Sequence, residues 1–353
     1  ANQGSARLMA GVTAGGGGGA AAVSPQAATI LQNQTQTWQL LYDLLSCVDT
    51  EDPKWKQWLQ SVELQWPHRG VDVMNMSGRE AELQEVLQRA YRRKLLSFWF
   101  RDRAIPFVER STQGGAGSPT HRALVHLCGR QLGPAVQEVM QGDEYRLAPL
   151  LAYAGSSTKF KKTMQANLAR WEAEPSWQGK DPEAKAVASL LAGDVAPAIA
   201  LLKLDWRQAC GLHLWYGLSP KASLPDLVST YEASVVAGAA PAPWAHFASL
   251  DRPGSSQSFD SAFELLRVVA DWSEGRPPDG SCLARLLHPA GMSPEPLDCA
   301  FQWHLLTVLS GFGLVDPLAD GAAPVILRAF TDMLGQLDVA GGLGHWAVYV
   351  AMH

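Results

Sequence analysis

The stretch Leu204-Asp205-Trp206-Arg207-Gln208-Ala209-Cys210-Gly211-Leu212-His213-Leu214-Trp215-Tyr216-Gly217 constrains this chain more than any other. At 3.6 residues per turn, Trp206, Ala209, Cys210, His213, Leu214 and Gly217 share one face, and Leu212, Trp215 and Tyr216 cover much of the remainder. A surface helix needs one apolar stripe, whereas a helix apolar nearly all round has to be enclosed by other helices. Asp205 is placed to cap its first turn by accepting a backbone N–H. The segment carries no arrangement that activates a nucleophile or holds a metal. It predicts a stack of helices.

From Ala28 onward the periodicity predicts helices over 28–48, 54–65, 79–100, 120–128, 132–141, 143–154, 156–173, 182–192, 194–203, 205–218, 223–237, 258–274, 280–288, 295–312, 321–338 and 342–352. Period-two strand runs bounded by turn dipeptides are missing. Gly142-Asp143 and Gly193-Asp194 each set a helix-ending glycine before an expected N-cap aspartate. Such junctions reverse the chain and make antiparallel helix hairpins. Pro53, Pro106, Pro119, Pro182, Pro220, Pro294 and Pro324 punctuate the other joints. The expected class is therefore all-α, an α-solenoid of antiparallel hairpins. No fixed repeat length recurs, so the stack is irregular.

Residues 1–27 are rich in Gly, Ala and Ser, with Gly15–Gly19 uninterrupted, and read as a flexible segment ahead of a helical domain over 28–353. No Gly-Lys-Ser/Thr ending follows to make a phosphate-cradling loop. The first residue is Ala1 rather than Met, as expected of a piece of something longer. Trp66–Gly78, Arg110–Pro119 and Ala237–Ser258 are richer in Gly, Pro and Ser and read as surface loops, because helices resume on both sides.

With 353 residues, 47% hydrophobic and 18% charged, a large core is available but no run of 18 apolar residues exists to span a membrane. A net charge of −5 argues against a phosphate-driven nucleic-acid binder. Cys47, Cys128, Cys210, Cys282 and Cys299 are far apart and odd in number, which predicts free, buried thiols. The 13 tryptophans, more than the 10 Phe or 7 Tyr, are read as gap fillers between stacked helices.

The nine histidines fall at no metal-ligand spacing, and no Gly-x-Ser-x-Gly elbow occurs. No catalytic residue, cofactor or metal is expected. His213 and His304 read as core histidines; a proton shuttle at His213 is the rival enzymatic reading, and its replacement by Gln would separate the two. Arg92-Arg93-Lys94 lies mid-helix and is expected to be a solvated face. Lys159-Phe160-Lys161-Lys162 opens a helix and is expected to face solvent or a partner protein.

Asp205-Trp206-Arg207 followed by His213-Leu214-Trp215-Tyr216 resembles a signature of the nucleoporin 96 family, scaffold components of the nuclear pore. Pro296-Leu297-Asp298 with Trp303-His304-Leu305, and Gly344-His345-Trp346-Ala347-Val348, resemble two further family segments in the same order. Weaker similarity lies at Trp38, at Gly142–Ala148 and at Leu190–Gly193. Asp205, Trp206, His213, Trp215, Trp303, His304 and Trp346 are the expected structural anchors. Partner-binding residues are not assigned.

The resemblance implies a coat-like helical element that doubles back on itself, with a crown over very roughly residues 80–200 and a returning trunk over roughly 205–353. It implies a place in the Y-shaped outer scaffold of the pore at the nuclear envelope, supporting nucleocytoplasmic transport. The implied partners are nucleoporin 107 at the crown and a small β-propeller shared with the COPII vesicle coat. The glycine-rich start stands where the family carries the strand-bearing segment that completes that propeller. The alternative is a cytoplasmic vesicle-coat or adaptor α-solenoid of related fold.

Overall fold

The computed structural model describes residues 24–46, 52–65, 80–115, 117–244, 259–293, 298–315 and 322–337, together with 346, 348 and 350. The glycine run, Cys47, the 66–78 loop, Pro294, the Pro296-Leu297 pair and Gly344-His345 lie outside the described residues. Among the described residues there are sixteen α-helices and no strand. In chain order these are α1 (Pro25–Leu45), α2 (Pro53–Gln65), α3 (Glu80–Thr112), α4 (Pro119–Cys128), α5 (Leu132–Gln141), α6 (Ala148–Leu151), α7 (Thr158–Glu172) and α8 (Pro175–Gln178). They continue as α9 (Pro182–Ala192), α10 (Ala196–Leu202), α11 (Trp206–Leu212), α12 (Leu224–Val236), α13 (Ser261–Ser273), α14 (Gly280–Leu286), α15 (Ala300–Gly311) and α16 (Ala322–Leu337).

Local chemistry sets several of these boundaries. Ser24, Ser118, Ser157, Asp205, Ser223 and Asp260 cap α1, α4, α7, α11, α12 and α13, each side chain accepting a first-turn amide. Proline occupies the first turn of α1, α4, α9 and α12, where a missing N–H costs nothing. Gly193 ends α9 in the left-handed region at φ 93°, as its place before Asp194 led one to expect. The Asp194 carboxylate then accepts the Ala196 N–H at 3.1 Å.

Two junctions differ from the sequence reading. Pro106 does not mark a joint: α3 runs through it to Thr112, and its carbonyl accepts from the Arg110 side chain at 3.0 Å. The predicted break after residue 100 is therefore absent, and part of the 110–119 loop is helix. At the other junction Asp143, not Gly142, takes positive φ, at 58°. Its carboxylate accepts the Tyr145 hydroxyl at 2.7 Å instead of capping a helix, and α6 begins only at Ala148. Aspartate tolerates this conformation because its short side chain bonds locally.

Neighbours in sequence pair as hairpins: α4 on α5, α9 on α10, α13 on α14 and α15 on α16. Longer-range packing turns this row back on itself. Helix α1 lies against α3 and also against α13, more than 200 residues later, and Trp38 of α1 meets Phe301 of α15 at 5.2 Å between ring centroids. Helix α9 joins α4 to α7, and α11 lies against both α3 and α4. One continuous apolar core runs from Leu40 to Ile326, with α11 inside it. The architecture is an all-α stack of antiparallel hairpins folded back on itself.

Candidate functional site

The segment 205–218 forms the most enclosed part of the stack. Every residue from Trp206 to Tyr216 is buried, Arg207 and Gln208 included. Asp205 and Gln208 form a reciprocal cap: the Asp205 carboxylate accepts the Gln208 N–H at 2.9 Å, and the Gln208 side chain accepts the Asp205 N–H at 3.1 Å. The segment does not stay α-helical to its end. From His213 to Gly217 it widens into a π turn, closed by the Leu218 N–H donating to the His213 carbonyl at 2.8 Å.

A widened turn takes carbonyls off the regular ladder, and buried carbonyls need partners. Two basic side chains from other helices supply them. Arg93 of α3 donates through Nη2 to the Leu214 carbonyl. Lys161 of α7 donates through Nζ to the carbonyls of Gly217 at 3.0 Å and Leu218 at 2.6 Å. Arg93 and Lys161 thus belong to clusters expected to be solvated or partner-facing, yet Arg93 is turned inward and Lys161 is only 6% exposed. Burial, with the neighbouring Arg130 charge, pushes Arg93 down to about 10. Burial, with the Arg93 charge, pushes Lys161 down to about 8. The carbonyl end of a helix carries partial negative charge, which is why cations settle there.

The indoles of this segment are also tied. Trp215 Nε1 donates to Ser97 Oγ at 2.9 Å, and Arg130 donates to the same oxygen. The Tyr216 hydroxyl donates to the Leu127 carbonyl at 3.1 Å. Gly155, at φ +71°, presses its backbone against the turn: a Cβ there would lie 2.4 Å from the Trp215 carbonyl oxygen. At the other end, Trp206 Nε1 and Arg207 Nη2 both donate to Asp260 Oδ2, at 3.1 and 2.7 Å. Oδ1 of the same aspartate accepts the Ala262 N–H at 2.9 Å and so starts α13.

Rings connect the two ends. Trp99, Trp206, Phe263 and Tyr231 follow one another at centroid distances of 6.3, 5.4 and 5.6 Å, crossing α3, α11, α13 and α12. Tyr231 then meets His213 edge-on at 5.5 Å. The His213 ring is 6% exposed, and its Nε2 has no hydrogen-bond partner among the described residues. Burial pushes it down to about 4, partly offset by the Asp194 charge. It is a neutral ring at neutral pH.

Two of the other expected anchors, Trp303 and His304, meet at a smaller cluster around Phe330. Trp303 stacks on Phe330 of α16 at 4.8 Å, and His304 lies edge-on to both, half-buried and pushed down by burial. Trp346 is 51% exposed. Cys128, Cys210, Cys282 and Cys299 are free and buried, and burial pushes their thiols up. Among the described residues no three His, Cys, Asp or Glu side chains gather where they could hold a metal ion, and no helix is long and apolar enough to cross a membrane. The arrangement around 205–218 clamps layers of helices together.

Lys161, Arg93, Ser97, Gly155 and Asp260 were not singled out as anchors by sequence. Asp260 alone carried a local signal, as an aspartate opening an amphipathic helix. Its pairing with Arg207, 53 positions away, carried none.

Fold and site together define an α-solenoid element with a fully enclosed central helix. The family model described as Nuclear protein 96 matches residues 121–353, which contain that helix and most of the stack around it. The chain belongs to this family. It is also 25% identical over 341 residues to the nuclear pore complex protein NUP96 of Arabidopsis thaliana, a match covering 94% of this chain and 30% of that protein. To the nuclear pore complex protein Nup98-Nup96 of Drosophila melanogaster it is 25% identical over 274 residues, covering 74% of this chain and 13% of that protein. The chain thus spans less than a third of the length of either relative.

Proposed function

We propose that this chain is a non-enzymatic scaffold element of the nuclear pore complex at the nuclear envelope, acting through contacts between helix faces and so supporting transport. The family match over residues 121–353 carries this reading. The site agrees with it, because its titratable groups are spent on holding layers together. In this reading residues 80–200 form the crown and 205–353 the returning trunk, and the contact of α1 with α13 is the seam between outgoing and returning halves.

The partners proposed are other scaffold nucleoporins, a nucleoporin 107-like protein at the crown, and the small β-propeller shared with the COPII coat. Exposed aromatic side chains support the crown contact. Tyr145 and Tyr153, 62% and 59% exposed, flank α6 inside the 80–200 region. Co-purification of the tagged chain from nuclear envelopes tests the reading. Recovery with scaffold nucleoporins is the expected result, and recovery only with vesicle-coat components overturns it.

A further inference from the structure

The described residues contain three complete Ser-Pro pairs, and the hydroxyls of two of them are committed to helix caps. Ser24 Oγ accepts the Ala27 N–H at 3.2 Å, and Ser118 Oγ accepts the His121 N–H at 3.1 Å. The third, Ser219-Pro220, lies in no helix. It opens a turn in which the Ser219 carbonyl accepts the Ala222 N–H at 3.0 Å, with proline at the second position that such turns favour. Among the described residues Ser219 Oγ accepts only the Lys221 N–H, at 3.3 Å; Ser219 is half-buried, and Pro220 and Lys221 after it are exposed.

Ser219 follows Leu218, whose carbonyl is held by Lys161, and the Leu218 carbonyl and Ser219 amide share one peptide plane. An ammonium has three donors, and Lys161 spends two of them, on Gly217 and Leu218. A buried cation with a donor to spare among the described residues therefore sits one peptide unit from a half-buried hydroxyl on an exposed turn.

We propose that Ser219 is a phosphorylation site for a proline-directed Ser/Thr kinase, and that its phosphate docks on Lys161. In the transfer, Ser219 Oγ attacks the γ-phosphorus of ATP. A new O–P bond forms, the bridging P–O bond to ADP breaks, and the hydroxyl proton passes to the kinase's base. The product carries about −1.5 to −2 charge near neutral pH. The carbonyl end of the central helix opposes an anion with roughly half a charge. Lys161 opposes this with a full charge held on the neighbouring Leu218 carbonyl, and charge-assisted bonds are about twice as strong as neutral ones. Attraction wins. The modified serine ties α7 more firmly to the widened turn while Lys161 keeps both carbonyls.

The test is phosphorylation of the full 353-residue chain by a proline-directed kinase with Mg-ATP, followed by peptide mapping, thermal melting and a ³¹P pH titration. The expected map places phosphate on Ser219 and not on Ser24 or Ser118, with Ser219→Ala abolishing the uptake. Melting is expected to rise by about 2 °C or more, and Lys161→Met to remove that rise. The titration reads the same contact in the wild-type chain, so it stands even where Lys161→Met fails to fold: an ion-paired phosphate titrates below its usual value of about 6. Phosphate mapping elsewhere, or a titration at about 6 or above with unchanged melting, overturns the proposal.

Discussion

Lys161 on α7 reaches the Leu218 carbonyl at 2.6 Å, and so a residue from a separate helix closes the widened turn that ends the central helix α11. Replacing it with Met keeps the buried stem and removes the donors, leaving the Gly217 and Leu218 carbonyls short of a partner. Buried polar groups left unsatisfied cost about 1–3 kcal/mol. Lys161→Met is therefore expected to lower the unfolding free energy by about that amount in a denaturant titration. An unchanged midpoint would show that water replaces the ammonium at no cost.

Gly155 and Gly238 provide a matched pair. Both have φ of +71°, but a Cβ on Gly155 meets the Trp215 carbonyl oxygen at 2.4 Å and a Cβ on Gly238 meets nothing within 4 Å. Gly238→Ala is expected to cost only the left-handed strain, about 1–2 kcal/mol. Gly155→Ala adds a backbone clash that neither side can rotate away from. It should cost clearly more, on the order of 3 kcal/mol or above. Equal melting temperatures for the two variants would refute the close approach.

How much of this was legible in the sequence follows from which forces act locally. Period and capping residues are local, so α4, α5, α9, α12 and α16 fall within about a residue of where the pattern put them. The enclosure of 205–218 was legible too, because apolar residues on every face leave no other solution. The π turn at His213–Gly217 was not legible, since its carbonyl partners come from α3 and α7. Arg93 and Lys161 looked like solvated charges for the same reason: their acceptors are 121 and 57 positions away in the chain. Pro106 misled because proline usually ends a helix, whereas α3 is long enough and packed enough to carry it.

The Asp260 ion pair makes an asymmetric prediction. Arg207 and Asp260 are each only about 6% exposed in their side chains, so removing one leaves a buried charge. Asp260→Ala is expected to cost about 3–5 kcal/mol, with part of the loss coming from the Trp206 bond and the α13 cap. The double variant Arg207→Met, Asp260→Ala should recover part of that loss, because the orphaned charge goes with it. A double variant as unstable as the sum of the single ones would mean that the pair is not coupled.

The crown reading is tested at Tyr145 and Tyr153. Both are more than half exposed, so Tyr145→Glu with Tyr153→Glu should leave the melting temperature within about 2 °C of wild type, as surface changes do. Binding to a nucleoporin 107-like partner is expected to fall at least tenfold, since exposed aromatics dominate such contacts. Full binding by the variant would move the contact off this surface.

Among the groups that shape the acid side of the stability curve, His213 and Asp43 pull in opposite directions. His213 titrates at about 4 in the fold against 6.5 when unfolded, because burial disfavours its charged form. Between those values the unfolded chain binds the extra proton. The contribution of His213 is therefore complete above about pH 6.5 and is lost as pH falls toward 4, by on the order of 3 kcal/mol in all. Asp43 is raised from 3.8 to about 6, chiefly by burial, against the Gln39 hydrogen bond and the Lys54 charge. There the folded chain holds the extra proton, so stability falls as pH rises from 3.8 to 6. The two slopes offset one another in the wild-type chain across the shared window. His213→Gln removes one of them, and its stability is expected to rise on acidification from pH 6 to pH 4 relative to wild type. Denaturant titrations of both proteins at pH 4, 5, 6 and 7 measure this directly, and parallel curves would rule out a buried neutral imidazole at position 213.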